Sequence, residues 1–142
     1  MTLNIQSRVY CPWHPERLDK PRALIVEDFL ELTKQKKFIC LKKMISMIDT
    51  LNTHGLDTPH IKHLFDAIYE LKDRTTDGGA RVYFIAGNQG EFYAFHAECK
   101  KEKDADETML AEGIDILEAA ETGKPIFPKF NTPRRWRERS KP

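Results

Sequence analysis

The stretch ARVYFIAGNQGEFYAFHAECKK, Ala80 to Lys101, decides how this chain folds. Its centre, GNQG (Gly87–Gly90), gathers two glycines and an asparagine, residues that accept the positive φ angles of tight turns. On either side lie runs rich in valine, isoleucine, tyrosine and phenylalanine, so the segment predicts a β-hairpin. A four-residue loop sets Phe84 opposite Tyr93, Val82 opposite Phe95 and Arg81 opposite His96. A slip of one residue in the turn would re-pair the strands without changing the alternation within each. One face then carries Val82, Phe84, Phe95, Ala97 and Cys99, a core-forming set. The other carries Arg81, Tyr83, His96, Glu98 and Lys100, so the polar groups make a patch opposite the side that packs.

Working outward, DADETMLAEGIDILEAAETGK after the paired lysines predicts a helix. Met109, Leu110, Ile114, Ile116, Leu117 and Ala120 share one side, Asp104 or Asp106 can cap it, and Gly123 can end it. Its acids read as a solvated face. Upstream, TPHIKHLFDAIYELKDR is ambiguous: Ile61, Leu64, Phe65, Ile68 and Leu71 have helical spacing, whereas AIYELK alone alternates like a strand. Further upstream, KFICLKKMISMIDTLNTHG spaces Phe38, Leu41, Met44, Ile45, Met47, Ile48 and Leu51 for a helix burying a broad stripe, with Gly55 as its stop. The methionines read as core packing. ALIVEDFLELTKQ predicts another helix, with Pro21 near its first turn, acids early and lysines at its end. These two helices read as an antiparallel hairpin. NIQSRVYCP predicts a short strand from Ile5 to Tyr10, before the prolines of PWHPERLDKPR interrupt regular structure.

Composition bounds the function. With 142 residues and 40% hydrophobic content the chain suits one core of ordinary size. No apolar run approaches the roughly 20 residues of a membrane-spanning helix, and MTLNIQSRVYCP lacks the order of a secretory signal. A soluble, cytoplasmic protein without membrane association is expected. Cys11, Cys40 and Cys99 are odd in number and widely spaced, which predicts reduced thiols rather than a disulfide framework. The formal charge is +1, yet the tail from Lys129 holds six Lys or Arg against one Glu, leaving the body mildly acidic. That weakens the case for broad nucleic-acid affinity of the body, since phosphate neutralisation is its usual source. The ending FNTPRRWRERSKP reads as an extended arm that either solubilises the chain or binds phosphate through residues such as Arg134 and Arg135. Cys11, His14, His60 and His63 could be drawn together as zinc ligands, but a structural zinc site usually has more cysteines, and no metal is expected.

The ordered set of IYELK (Ile68–Lys72), RVYF (Arg81–Phe84) and His96 followed by Lys100 and Lys101 resembles the RelE/ParE toxin superfamily, most closely its HigB-type, phage-derived branch. The resemblance spans roughly Pro59 to Glu121. It implies that AIYELK is a strand bordering the hairpin's sheet. It also implies an α+β fold: an N-terminal helical hairpin packed on a small, mainly antiparallel twisted sheet, then a C-terminal helix. Residues 1–128 would form a single RelE-like domain and residues 129–142 a basic tail. The implied activity is that of the toxin in a type II toxin–antitoxin system, a ribosome-dependent mRNA endonuclease restrained by a cognate antitoxin. Its partners would be the antitoxin, mRNA and the ribosome, with homo-oligomerisation open and no cofactor.

Cleaving RNA without a metal requires a base for the 2′-hydroxyl proton, cations for the anionic phosphorane and an acid for the leaving oxygen. Arg81 would be the main stabiliser, Lys100 would add positive potential, and His96 would serve as base or acid. Lys72, Tyr83 and Lys101, with Arg134 and Arg135 of the tail, would bind RNA. The sequence departs from the resemblance where Lys72 replaces an arginine and where Ala97, Glu98 and Cys99 replace a glycine and an aromatic. An acid thus stands beside the cationic group. Each residue also has a plain structural reading: Arg81 can pair with Glu98, His96 can be a satisfied sheet residue, and the lysines can be solubilising. The alternative function is a catalytically inactive RelE-like protein-binding module.

Overall fold

The computed structural model describes residues 9–12, 24–87, 90–100 and 107–121, and only the backbone of 119–121. Its elements are β1 (Val9–Tyr10), α1 (Leu24–Lys34), α2 (Phe38–His54), β2 (Ile61–Phe65), β3 (Ile68–Thr75), β4 (Gly78–Ala86), β5 (Phe92–Lys100) and α3 (Glu107–Glu121). The strands form one mixed sheet in the order β1-β5-β4-β3-β2; β1 runs parallel to β5, and the other pairs are antiparallel. The fold is α+β, as the resemblance implied.

The hairpin is present, but its register differs from the expected one. Gly87 N–H donates to the Glu91 carbonyl at 2.8 Å, and the first strand pair is Ala86 with Phe92, so the connection is one residue longer than GNQG. A shift between Tyr83 and Phe84 then inserts an extra residue in β5, and Tyr83 faces His96, Val82 faces Ala97 and Arg81 faces Glu98. The bulge turns Phe95 and His96 to the same side. Phe95 therefore joins Tyr83, Ile85, Ile68, Leu24 and Ile116 in one cluster, not the face of Val82 and Phe84.

That other face is the larger core. Val82, Phe84, Phe92, Ala94, Ala97 and Leu71 pack there under Met44, Met47, Ile48 and Leu51 of α2 and under Ile25, Phe29 and Leu32 of α1. Each of the larger apolar side chains contributes about 2 kcal/mol by leaving water. The methionines of α2 are core, as their spacing predicted, whereas Phe38 at its start is largely exposed. Gly55, at φ 62°, ends α2 by giving its N–H to the Leu51 carbonyl.

Two expectations are corrected. No helical hairpin opens the fold, because β1 precedes the helices and the helices pack chiefly on the sheet: α1 along β5, α2 over β4 and β3. Asp28 shows why α1 lies there. Its Oδ2 accepts the Ala97 N–H at 3.0 Å, so α1 satisfies a donor on the side of β5 that β1 does not reach. The second correction concerns helical spacing over Ile61–Leu71, where the chain instead makes β2 and β3 around a turn with Asp66 at φ 50°. Ile68 and Leu71 belong to opposite clusters, so a strand buried on both faces hid its alternation. AIYELK is a strand, but β2 rather than β3 forms the edge.

The cysteines also depart from expectation, because α2 begins beside the end of β5 and Cys40 and Cys99 are joined as a disulfide; Cys11 remains a buried thiol. Sequence spacing carries no information on that meeting of distant segments. The predicted residues Ile5–Arg8 of the first strand, the helix caps Asp104 and Asp106, and the tail lie outside the described residues. Among the described residues no helix is long and apolar enough to cross a membrane.

Candidate functional site

Strand alternation and register together build the polar patch. On β4, Arg81 and Tyr83 point to the side away from α2; on β3 their partners are Lys72 and Glu70, and on β5 they are Glu98 and His96. Arg81 is fully buried, with Nη1 3.5 Å from Glu70 Oε2 and 4.0 Å from Glu98 Oε1. Glu98 is the hub. Its Oε1 accepts the Tyr83 hydroxyl hydrogen and lies 3.4 Å from Lys100 Nζ. Glu70 is also buried, so two carboxylates flank one guanidinium beneath the surface. Lys100 and Lys72 stand at the rim, only partly buried.

His96 makes a second cluster a short way along β5. Its Nδ1 lies 2.6 Å from Asp28 Oδ2 on α1, and its Nε2 lies 2.9 Å from Glu112 Oε2 on α3. Burial alone would lower its pKa, but the hydrogen bonds and negative charges of Asp28 and Glu112 outweigh it and raise the imidazole to about 9. At neutral pH the ring is an imidazolium that donates from both nitrogens. This is a cationic clamp between two helices and a strand.

Helix α3 reaches this position through Gly113. A Cβ there would fall 2.5 Å from the Phe95 ring and 3.2 Å from Ile68 Cδ1, so the helix approaches the sheet more closely than any other residue allows. Glu112 is thereby brought to the His96 imidazole.

Of the residues singled out in sequence, Arg81, Tyr83, Glu98 and Lys100 come together in one network, and Lys72 lies beside Arg81 in register. His96 shares their sheet face but belongs to the separate clamp. Neither Arg81 nor Tyr83 reaches the surface. Lys101, Arg134 and Arg135 lie outside the described residues. Sequence reading missed Glu70, Asp28 and Glu112. Glu70 carried a signal, since it alternates with Lys72 and is flanked by the apolar Tyr69 and Leu71; the helical acids looked like any solvated face. His60 and His63 are exposed, and among the described residues no cluster of three His, Cys, Asp or Glu side chains could hold a metal.

A family model described as "Phage derived protein Gp49-like" matches residues 27–118, which is most of the described fold. The chain belongs to the phage-derived Gp49-like family. This Gp49-like family lies within the RelE/HigB-like toxin superfamily and is associated with toxin–antitoxin systems. An antitoxin is therefore the expected partner of a Gp49-like chain. The matched segment runs from α1 to α3 and contains Asp28, Glu70, Arg81, Tyr83, His96, Glu98, Lys100 and Glu112. No curated protein matches the chain.

Proposed function

We propose that this Gp49-like chain is the toxin of a type II toxin–antitoxin pair, of the HigB-type branch. It cleaves messenger RNA on the translating ribosome in the cytoplasm, until a cognate antitoxin binds it. The observation that carries this reading is the surrounding of Glu98: a carboxylate touching the Tyr83 hydroxyl, with Lys100 at 3.4 Å and Arg81 at 4.0 Å. Glu98 takes the proton of the 2′-hydroxyl as that oxygen attacks phosphorus. Lys100, with Lys72 and Lys101, meets the developing phosphorane charge, the leaving 5′-oxygen takes its proton from solvent water, and buried Tyr83 holds Glu98 in place through its hydroxyl. Buried Arg81 orients Glu98 from beneath, and His96 keeps β5 in place through its clamp. Arg134 and Arg135 add phosphate affinity from the tail, beyond a domain ending near residue 128.

A second reading rests on the same pairs. Arg81 and His96 have their charges answered inside the fold, as suits a sheet kept as a catalytically silent protein-binding surface. Inducible expression separates the two. The toxin reading expects growth arrest by the wild type, growth restored by Glu98→Gln or Lys100→Ala at equal soluble level, and rescue by a small protein encoded alongside. Harmless expression of folded wild type would favour the binding module.

A further inference from the structure

Cys40 is the third residue of α2 and Cys99 the penultimate residue of β5; they are 59 positions apart with Cα atoms 6.2 Å apart. Their surroundings suit thiols as well as a disulfide. Cys40 Sγ lies 3.3 Å from Thr75 Oγ1 and 3.6 Å from the Gly78 carbonyl oxygen, and Cys99 Sγ lies 3.4 Å from the Asp77 carbonyl oxygen. A bridged sulfur has no hydrogen to give, whereas a thiol can donate to each of these acceptors. The Thr75 hydroxyl already donates to the Gly78 carbonyl at 2.7 Å and accepts the Asp77 N–H at 3.1 Å, which leaves one lone pair for an S–H.

The junction also holds without the bridge. Asp77 Oδ2 accepts the backbone N–H of Ile39 at 2.9 Å and of Cys40 at 3.4 Å, while Lys37 Nζ donates to the Asp77 carbonyl at 3.3 Å. Access is one-sided: Cys40 is buried, and Cys99 is partly exposed. Cys11 does not compete, because burial pushes its thiol up to about 12.

We propose that Cys40 and Cys99 form a reversible redox lock: a dithiol opens it without unfolding the chain, and the lock sets how firmly the Lys100 end of β5 is fastened to α2. A dithiol's thiolate attacks Cys99 Sγ, giving a mixed disulfide and releasing Cys40 as a thiolate that takes up a proton. The second thiol of the reagent then displaces Cys99, which is protonated in turn. Two electrons and two protons pass to the protein, and the reagent leaves as a cyclic disulfide. Lys100 adjoins Cys99, so the lock governs RNA cleavage; this consequence rests on the function proposed above.

The test uses the full chain, equilibrated across ratios of reduced to oxidised dithiothreitol, quenched, alkylated after denaturation and weighed intact. A single reversible transition is expected, in which two cysteines gain label, with native circular dichroism throughout and a melting temperature lower by roughly 10 °C in the reduced form. Cys40→Ala should lose the transition and melt like the reduced wild type. The lock is overturned if no ratio yields the bridged form, or if the reduced wild type and Cys40→Ala both lack native structure. Cleavage by the oxidised and reduced wild type should differ by about tenfold or more, and Cys40→Ala should not respond. Equal cleavage by both forms overturns control of the site. If neither form cleaves, the RNA-cleaving reading fails while the titration still decides the lock.

Discussion

His96 shows how one residue's chemistry links stability to pH. Its imidazole titrates near 6.5 in an unfolded chain and near 9 in the fold, where Asp28 and Glu112 hold it. The raised pKa means that the clamp's contribution is complete below pH 6.5 and fades as pH rises through 9. The loss is on the order of 3 kcal/mol. Urea unfolding at pH 6.5 and 9.5 should show this loss in wild type, whereas His96→Gln should lose only the roughly 1 kcal/mol that the buried Cys11 thiol costs as its unfolded form ionises. Equal slopes for the two proteins would contradict the clamp. Arg81 makes a different prediction, because removing it strands buried Glu70 without the guanidinium beside it. Arg81→Met should cost about 3–5 kcal/mol, and adding Glu70→Met should recover most of it, as read by chemical denaturation. Loss of activity in Arg81→Ala alone would therefore not identify a catalytic role. Sequence alternation was enough to place Arg81, Tyr83, His96 and Glu98 on one face, because the period of a strand is local. The acids that complete the two clusters come from β3, α1 and α3; Glu70 was marked by its alternation with Lys72, whereas nothing local marks Asp28 and Glu112.

At the scale of elements, the turn between β3 and β4 does more than reverse the chain. Asp77 caps α2 from outside the helix by accepting the Ile39 and Cys40 N–H groups. Asp77→Ala should destabilise the fold by about 1–2 kcal/mol, and Asp77→Asn by much less, in thermal unfolding. Such a cap is invisible in sequence, since the residue before α2 is Lys37, whose side chain does not cap it. Gly113 is a second element-level constraint. Alanine there gains about 1 kcal/mol of helix propensity but drives a methyl into Phe95. A net loss of about 1 kcal/mol is expected for Gly113→Ala, with Gly113→Ala/Phe95→Leu closer to wild type in the same assay. The misread segments share one cause. Periodicity reports which residues are buried, and β3 buries both faces while the bulge at Phe95 breaks the count in β5. Where turn and burial agreed with periodicity, as in α2 with its Gly55 stop, sequence and structure coincide.

Across the whole molecule, the sheet is a platform with unequal sides. One side is sealed by α2 and α1 into the larger core. The opposite side divides, with Phe95 and Tyr83 packed under Ile116 of α3 and the Glu98 network beyond them. The apolar part of that side positions the polar part, since the strands that bury Phe95 and Ile85 also carry Glu98 and Arg81. Fold class was legible because hairpin, stripe and turn signals are local. The order of strands, the flanking of β5 by α1 and the meeting of Cys40 with Cys99 were not, because they depend on which distant segments complete one another. The most direct test of the central claim is the fate of a defined messenger RNA in a reconstituted translation reaction, followed by primer extension. Wild-type protein should cut the message only when it is being translated, and Glu98→Gln should slow cutting by about 100-fold or more. Intact message with folded wild type, or cutting by Glu98→Gln at the wild-type rate, would contradict it.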